Sequence, residues 1–356
     1  MLLSSKIISN FTLTLLHDEI LNTGIKITTL SHRGEYSAFS RHNPPTRKVY
    51  TLKSRDAIVE NKGAKFKFHT KDVIKKWKKE FVKADLSEPK LSIENIIASI
   101  LQTRQISDIY KKKNSFLSRE QIKKVIKMCR MRLESMPIQY VIREWDFRNL
   151  TLEMRPPVFI PRPETEQLVD LVLTELNTNP IEEVLELCCG SGAISIALLK
   201  ENPDITVIAV DKSEEACSLT RDNAKRYGID SRINIIQMDI NEISPEYFDK
   251  KFDVIVSNPP YVPSGDMLHL QPEILGYEDR DALDGGSDGL VLIKLILQKS
   301  SYLLRPGGKT FLEVDPSHPQ LLDRLLEENN RLRLSIGGVH KDIFERDRFV
   351  IIKKML

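Results

Sequence analysis

An α/β protein with a mainly parallel sheet, preceded by a bundle of helices, is the fold class this sequence predicts. Three observations predict it. From Glu182 to the C-terminus, short apolar runs alternate with stretches of helical periodicity, and continuous apolar strands joined by helices form sheets covered on both faces. Between the first such strand and its helix lies Gly190-Ser191-Gly192, a turn that lets backbone approach a ligand closely. Between Lys71 and Leu133, apolar residues recur at spacings of three and four among lysines, the pattern of amphipathic helices.

Composition bounds the function. The 356 residues exceed what one core needs, which favours two domains. With 41% hydrophobic and 29% charged residues, the chain is not predicted to be largely disordered. No apolar run reaches the ~18–20 residues of a membrane helix. The net charge of +3 conceals a division, because residues 1–150 hold 30 Lys/Arg against 15 Asp/Glu and residues 151–356 hold 23 against 35. A basic half suits an acidic partner or RNA. The four cysteines and seven histidines show no CxxC or HExxH spacing, so neither a disulfide framework nor a metal site is predicted, and a reducing compartment is.

In chain order, residues 1–50 hold only three acids, Asp18, Glu19 and Glu35, and open on an apolar, Ser-containing stretch. That composition predicts a mitochondrial transit peptide with a disordered lead behind it. Residues 70–140 follow as the helical domain, with apolar faces at Ile74, Trp77, Phe81 and Val82, then Ile93, Ile96 and Ile97, then Ile122, Val125, Cys129 and Leu133. Ser118 with Gln121 three residues on reads as a capping box opening the third helix. Residues 144–163 begin with a hairpin, since Trp145 and Phe147 alternate with charged residues before Leu150 and Leu152. Four prolines between Pro156 and Pro163 then enforce a stiff extended connector. Residues 164–356 carry the sheet, with strands predicted at 184–188, 206–210, 233–237, 253–257, 310–314, 332–336 and 348–352. The last two leave no room for a crossover helix and are expected to pair antiparallel.

Three acids mark the ligand crevice. Glu186, Asp211 and Asp239 close three successive strands, and doubly wound folds bind ligands outside the carboxyl ends of strands. Asp211 follows Gly190 by 21 residues, where such folds place a carboxylate for ribose hydroxyls; its bland reading is a helix cap. Ser195 replaces the third glycine of a dinucleotide loop, and no phosphate-loop lysine is present, so a nucleoside without pyrophosphate fits better.

The sharpest signal is Asn258-Pro259-Pro260-Tyr261 after the fourth strand. Paired prolines fix the turn and leave its carbonyls free. Asn258 Oδ1 and the Pro259 carbonyl can each accept one N–H of a planar –NH2 group, and Tyr261 offers a flat ring to pack against it.

These motifs resemble S-adenosyl-L-methionine-dependent methyltransferases that act on amino groups. Ile160-Pro161-Arg162-Pro163, within Phe159–Val169, and Pro-Ile-Gln-Tyr at 137–140 narrow the resemblance to the HemK/PrmC family, protein-(glutamine) methyltransferases of peptide-chain release factors. The resemblance implies a class I (Rossmann-like) methyltransferase sheet with an N-terminal helical bundle. It implies that Phe159, Pro161, Thr165, Glu186, Gly190, Gly192, Asp211, Asp239 and Asn258 hold the cofactor, S-adenosyl-L-methionine. It further implies that Asn258, Pro259 and Tyr261 hold the amide of a mitochondrial release factor. Two positions depart from the family pattern: Arg143 and Cys188 stand where glycines are expected. Glu313 ends the fifth strand with no role derivable from sequence. The competing readings are a nucleic-acid adenine amino-methyltransferase, using the basic half for phosphates, and a non-catalytic adaptor, which would not need Gly190, Gly192, Asp211 and Asn258 together.

Overall fold

The computed structural model describes residues 67–356 except Pro180. The acid-poor lead of residues 1–50 lies outside the described residues.

The helical part starts with a short pairing, β1 (Lys67–His69) antiparallel to β2 (Phe116–Ser118). Three residues are too few for alternation to announce a strand, and the sequence reading missed both. α1 (Thr70–Lys83) buries Ile74, Trp77 and Phe81, α2 (Pro89–Leu101) buries Ile93, Ile96 and Ile97, and α3 (Arg119–Leu133) buries Ile122, Val125 and Cys129. Val82, expected inside, is exposed, because the inward position of that turn belongs to Phe81. The capping box forms as its spacing predicts: Gln121 N donates to Ser118 Oγ at 3.2 Å, and Ser118 N to Gln121 Oε1 at 2.8 Å.

Arg132 in the last turn of α3 is buried and needs partners to be tolerated there. It donates to Ser92 Oγ, Ser87 Oγ and the Met136 carbonyl, and at 2.7 Å to Glu273 in α8 (Pro272–Tyr277). That ion pair fastens the bundle to a helix beside the crevice. α4 (Ile138–Ile142) ends at Arg143, and the hairpin of β3 (Glu144–Phe147) and β4 (Leu150–Glu153) follows. The proline connector is not extended throughout as expected: it turns at Pro156-Pro157, where Val158 N donates to the Arg155 carbonyl at 3.2 Å, and only Phe159 to Arg162 run without a turn. It is pinned: Tyr140 donates to the Val158 carbonyl at 2.6 Å, and Glu278 accepts from Ile160 N at 3.1 Å and from Arg162 at 2.7 Å.

The sheet contains β5 (Glu183–Leu187), β6 (Thr206–Asp211), β7 (Ile233–Gln237), β8 (Phe252–Ser257), β9 (Leu304–Glu313), β10 (Leu334–Lys341) and β11 (Asp347–Lys354). Its order is β10-β11-β9-β8-β5-β6-β7, parallel from β7 to β9. The last two strands pair antiparallel as expected, with β11 inserted between β9 and β10. The strand predicted from Leu332 begins two residues later, because Asn330–Leu332 form a 3-10 turn closed by Arg333 at φ 54°.

Alternate strand residues face two cores. Val184, Val254 and Phe311 pack with α5 (Thr165–Thr178) and α6 (Ala193–Glu201), through residues such as Leu168 and Ile196. Leu185, Leu187 and Ile255 pack with α9 (Val291–Leu303) and α10 (His318–Glu328), through Ile293 and Leu322. α7 (Glu214–Arg226) follows β6. The chain winds outward from β5 to β7 and then returns to β8 on the other side of β5. The reversal leaves a crevice at the carboxyl ends of β5 and β8, the place such sheets bind ligands.

Candidate active site

The wall after β5 is built mainly from backbone. Cys188, Gly190 and Gly192 all have positive φ, at 60°, 56° and 78°. A Cβ added at Gly190 would find nothing within 4 Å, so the chain there faces open space. A Cβ at Gly192 would lie 2.7 Å from Thr220 Cγ2. The two glycines therefore do different work: Gly190 lines the cavity, whereas Gly192 does not and lets α6 start tight against α7.

Asp211 binds this wall together. Its Oδ2 accepts from Gly190 N at 2.9 Å and its Oδ1 from Ser213 N at 2.9 Å. The cap of α7 is Ser213, whose Oγ accepts from Ala216 N at 3.2 Å. A carboxylate has about four lone-pair sites, so Asp211 keeps acceptor capacity toward the cavity it lines. Glu186 is buried and accepts from both the backbone N–H and the hydroxyl of Ser195 in α6; burial pushes its pKa up to about 8. Asp239, half-buried at the rim, accepts from Asn241 N at 2.8 Å and Nδ2 at 2.9 Å.

The wall after β8 is built from side chains distant in sequence. Ser257 donates to the Leu187 carbonyl at 2.7 Å, tying the two strand ends. Thr165, at the start of α5, donates its hydroxyl to Glu313 Oε2 at 2.7 Å and accepts from Asn258 Nδ2 at 3.1 Å. Tyr261 donates to the other Glu313 oxygen at 3.2 Å. The relay fixes a direction: Glu313 takes the only hydroxyl proton of Thr165, Thr165 takes the N–H of Asn258, and Oδ1 is left as the acceptor end of the Asn258 amide. Burial raises the pKa of both Glu313 and Tyr261. Arg348 lies over the Tyr261 ring, its guanidinium carbon 5.8 Å from the centroid.

A cavity of about 610 Å³ lies between the walls. Phe159, Pro161, Thr165, Glu186, Gly190, Asp211, Asp239, Asn258, Pro259 and Tyr261 all line it. Sequence reasoning missed Glu313 as the hub joining Thr165 to Tyr261; its only trace was an acid ending an apolar strand. Glu186, Asp211 and Glu313 all have pKa values raised by burial, and an organic cation in the crevice would favour their charged forms.

A family model described as methyltransferase small domain matches residues 149–277. The human MTRF1L release factor glutamine methyltransferase is 41% identical over 295 residues, covering 80% of this chain and 87% of that protein. The release factor glutamine methyltransferase of Thermodesulfovibrio yellowstonii is 32% identical, covering 73% of this chain and 91% of that protein. The chain belongs to the release factor glutamine methyltransferase family. The two positions where the resemblance expects glycine share a backbone feature. Arg143 and Cys188 have φ of 65° and 60°, the left-handed region that glycine enters without penalty and other residues do not. A solved methyltransferase from Pyrococcus furiosus aligns with a TM-score of 0.43 at 21% identity, over 59% of this chain and 91% of that one.

Proposed function

We propose that the protein methylates the side-chain amide nitrogen of the glutamine in the Gly-Gly-Gln motif of a mitochondrial peptide-chain release factor, using S-adenosyl-L-methionine, in support of translation termination. The observation that carries this reading is the Glu313–Thr165–Asn258 relay, which leaves Oδ1 as the acceptor end of Asn258, a residue that lines the cavity.

The cavity suits the cofactor in its donor set: an open backbone at Gly190, a carboxylate with spare acceptor capacity at Asp211, and apolar Phe159 and Pro161. Asp211 would hold the ribose hydroxyls, Asp239 would stand by the adenine, and Phe159 and Pro161 would flank the ligand. S-adenosyl-L-methionine, when bound, supplies a cationic methyl donor, so the chain needs no strong base. The protein's task is positioning. Asn258 Oδ1 and the Pro259 carbonyl accept the two amide hydrogens, while the Tyr261 ring packs against the amide plane. Holding the amide nitrogen within ~3–3.5 Å of its target, with its lone pair aimed, replaces random encounter.

The helical domain, residues 70–140, is assigned to recognition of the release factor, with its exposed lysines available to acidic surface. The acid-poor start directs the chain to mitochondria. Incubation with labelled S-adenosyl-L-methionine, a release factor and RNA tests the whole reading. Label is expected on the release factor and is expected to vanish when its Gly-Gly-Gln glutamine is replaced. Label confined to RNA would overturn it.

A further inference from the structure

The turn joining β10 to β11 carries an exposed apolar pair, Ile343 and Phe344, at 59% and 61% exposure. Large apolar side chains at a loop tip are common enough singly; this pair is held in a way that mere tips are not. Asp342 beneath it is buried and accepts from Phe344 N at 2.8 Å, Arg346 N at 3.1 Å, Arg346 Nε at 2.9 Å and Arg348 Nε at 3.3 Å. The same two arginines fasten the turn to the active-site wall. Arg346 pairs with Glu164 at 3.2 Å, one residue before Thr165, and Arg348 donates to the Val314 carbonyl at 2.9 Å and lies over Tyr261. β11 then pairs Phe349 with Glu313, so the tip projects from the same end of the sheet as the relay.

We propose that Ile343 and Phe344 form a docking tip for the body of the protein substrate, seated on release-factor surface that flanks the modified loop. This rests on the proposed activity: a glutamine reaching Asn258 leaves the rest of its protein outside, and that bulk must meet the rim. The Arg346 guanidinium carbon lies 4.9 Å from the Phe344 ring centroid, and its charge is already met by Asp342 and Glu164, so the complementary patch is apolar. A clamped turn presents the pair in one conformation, which lowers the ordering cost of binding. Neither Ile343 nor Phe344 lines the cavity.

The test is an Ile343→Ala/Phe344→Ala double variant of the full chain, assayed on a folded release factor with wild type beside it. KM for the release factor should rise ~10-fold or more, the scale of truncating an aromatic anchor. kcat at saturation and cofactor affinity should stay within about 2-fold, since neither residue lines the cavity. Phe344→Leu should recover much of the affinity. An unchanged KM overturns the proposal. So does a concentration-dependent dimer of the wild type that the double variant loses with KM unchanged, which would assign the tip to a second copy of the chain. A wild-type chain that methylates no release factor would overturn the activity reading, and this inference with it.

Discussion

The two walls of the crevice are made differently. The wall after β5 is contiguous: Cys188 to Gly192 and Asp211 are joined by backbone donors, with Gly190 N on Asp211 Oδ2. The wall after β8 draws Thr165, the Asn258–Tyr261 motif and Glu313 from three separate stretches and joins them through side chains. Backbone donors hold a shape that many sequences can keep. A side-chain relay holds a direction, and each member's chemistry matters. The first wall therefore suits binding a cofactor common to many reactions, and the second suits choosing and orienting one acceptor.

The largest effect should come from the acceptor wall. Asn258→Ala should lower kcat by ~100-fold or more, the scale of losing one preorganised polar contact, with cofactor affinity held within a few-fold. Asn258→Asp keeps the shape but cannot donate to Thr165, so the relay loses its direction, and activity should fall well below that of Asn. Initial-rate kinetics together with cofactor calorimetry check both. Equal kcat for Asn and Ala would reduce the motif to a turn and erase the contrast between the walls.

The opposite split is expected across the crevice. Asp211→Asn keeps the size of the side chain while removing the charged acceptor, worth ~1.5–3 kcal/mol or roughly 10–150-fold in affinity. The loss should appear in cofactor affinity measured by calorimetry. A loss confined to kcat would place Asp211 with the acceptor wall instead.

Thr165 sharpens the comparison further, because the family resemblance grouped it with the cofactor pocket while its hydroxyl joins Glu313 to Asn258. Thr165→Val should cost ~10-fold in kcat, the energy of one or two hydrogen bonds, and Thr165→Ser should restore most of it. A change in cofactor affinity alone would return Thr165 to the first wall.

What could be read in the sequence follows the same division. The glycine turn, the acid closing β6 and Asn-Pro-Pro-Tyr are local, and spacing along the chain was enough to find them. So were the long strands and helices, whose periodicity repeats over several turns. Glu313 was visible but mute, because its partners Thr165 and Tyr261 are 148 and 52 positions away. The Arg132–Glu273 pair, 141 positions apart, was unreadable for the same reason. Val82 was misplaced by one step of helical phase, and β1 and β2 were too short to carry a pattern.

Stability should depend on pH through the carboxyls between the walls. Glu186 has a folded pKa of about 8 against an ordinary 4.5, so between those values the folded state keeps a proton that the unfolded chain has released. Its contribution to stability is present below about pH 4.5 and declines as pH rises toward about 8. Asp211 and Glu313 shift in the same direction. Melting temperature should fall between pH 5 and 8, and Glu186→Gln should make that fall shallower. Parallel curves for the two proteins would mean that Glu186 is ionised in the fold.

The smallest expected effect separates the two residues that replace expected glycines. A left-handed backbone costs a side-chain-bearing residue ~1–2 kcal/mol, and glycine gives back ~0.5–1 kcal/mol through its freer unfolded chain. Arg143 is exposed, and its ion pair with Glu153, at 3.4 Å, is open to solvent, where such pairs contribute little. Arg143→Gly should therefore stabilise the protein by about 0.5 kcal/mol, near 1–2 °C in Tm for a chain of this size. Cys188 shares the backbone geometry but not the surroundings: its side chain is half-buried, lines the cavity and packs against the core around Leu187. Removing it loses contacts that offset the relief of strain, so Cys188→Gly should leave Tm unchanged or lower it. Thermal unfolding of the two variants beside wild type decides the matter. Equal gains would mean that the glycine-loop wall is held by backbone alone, without packing from the side chain at 188.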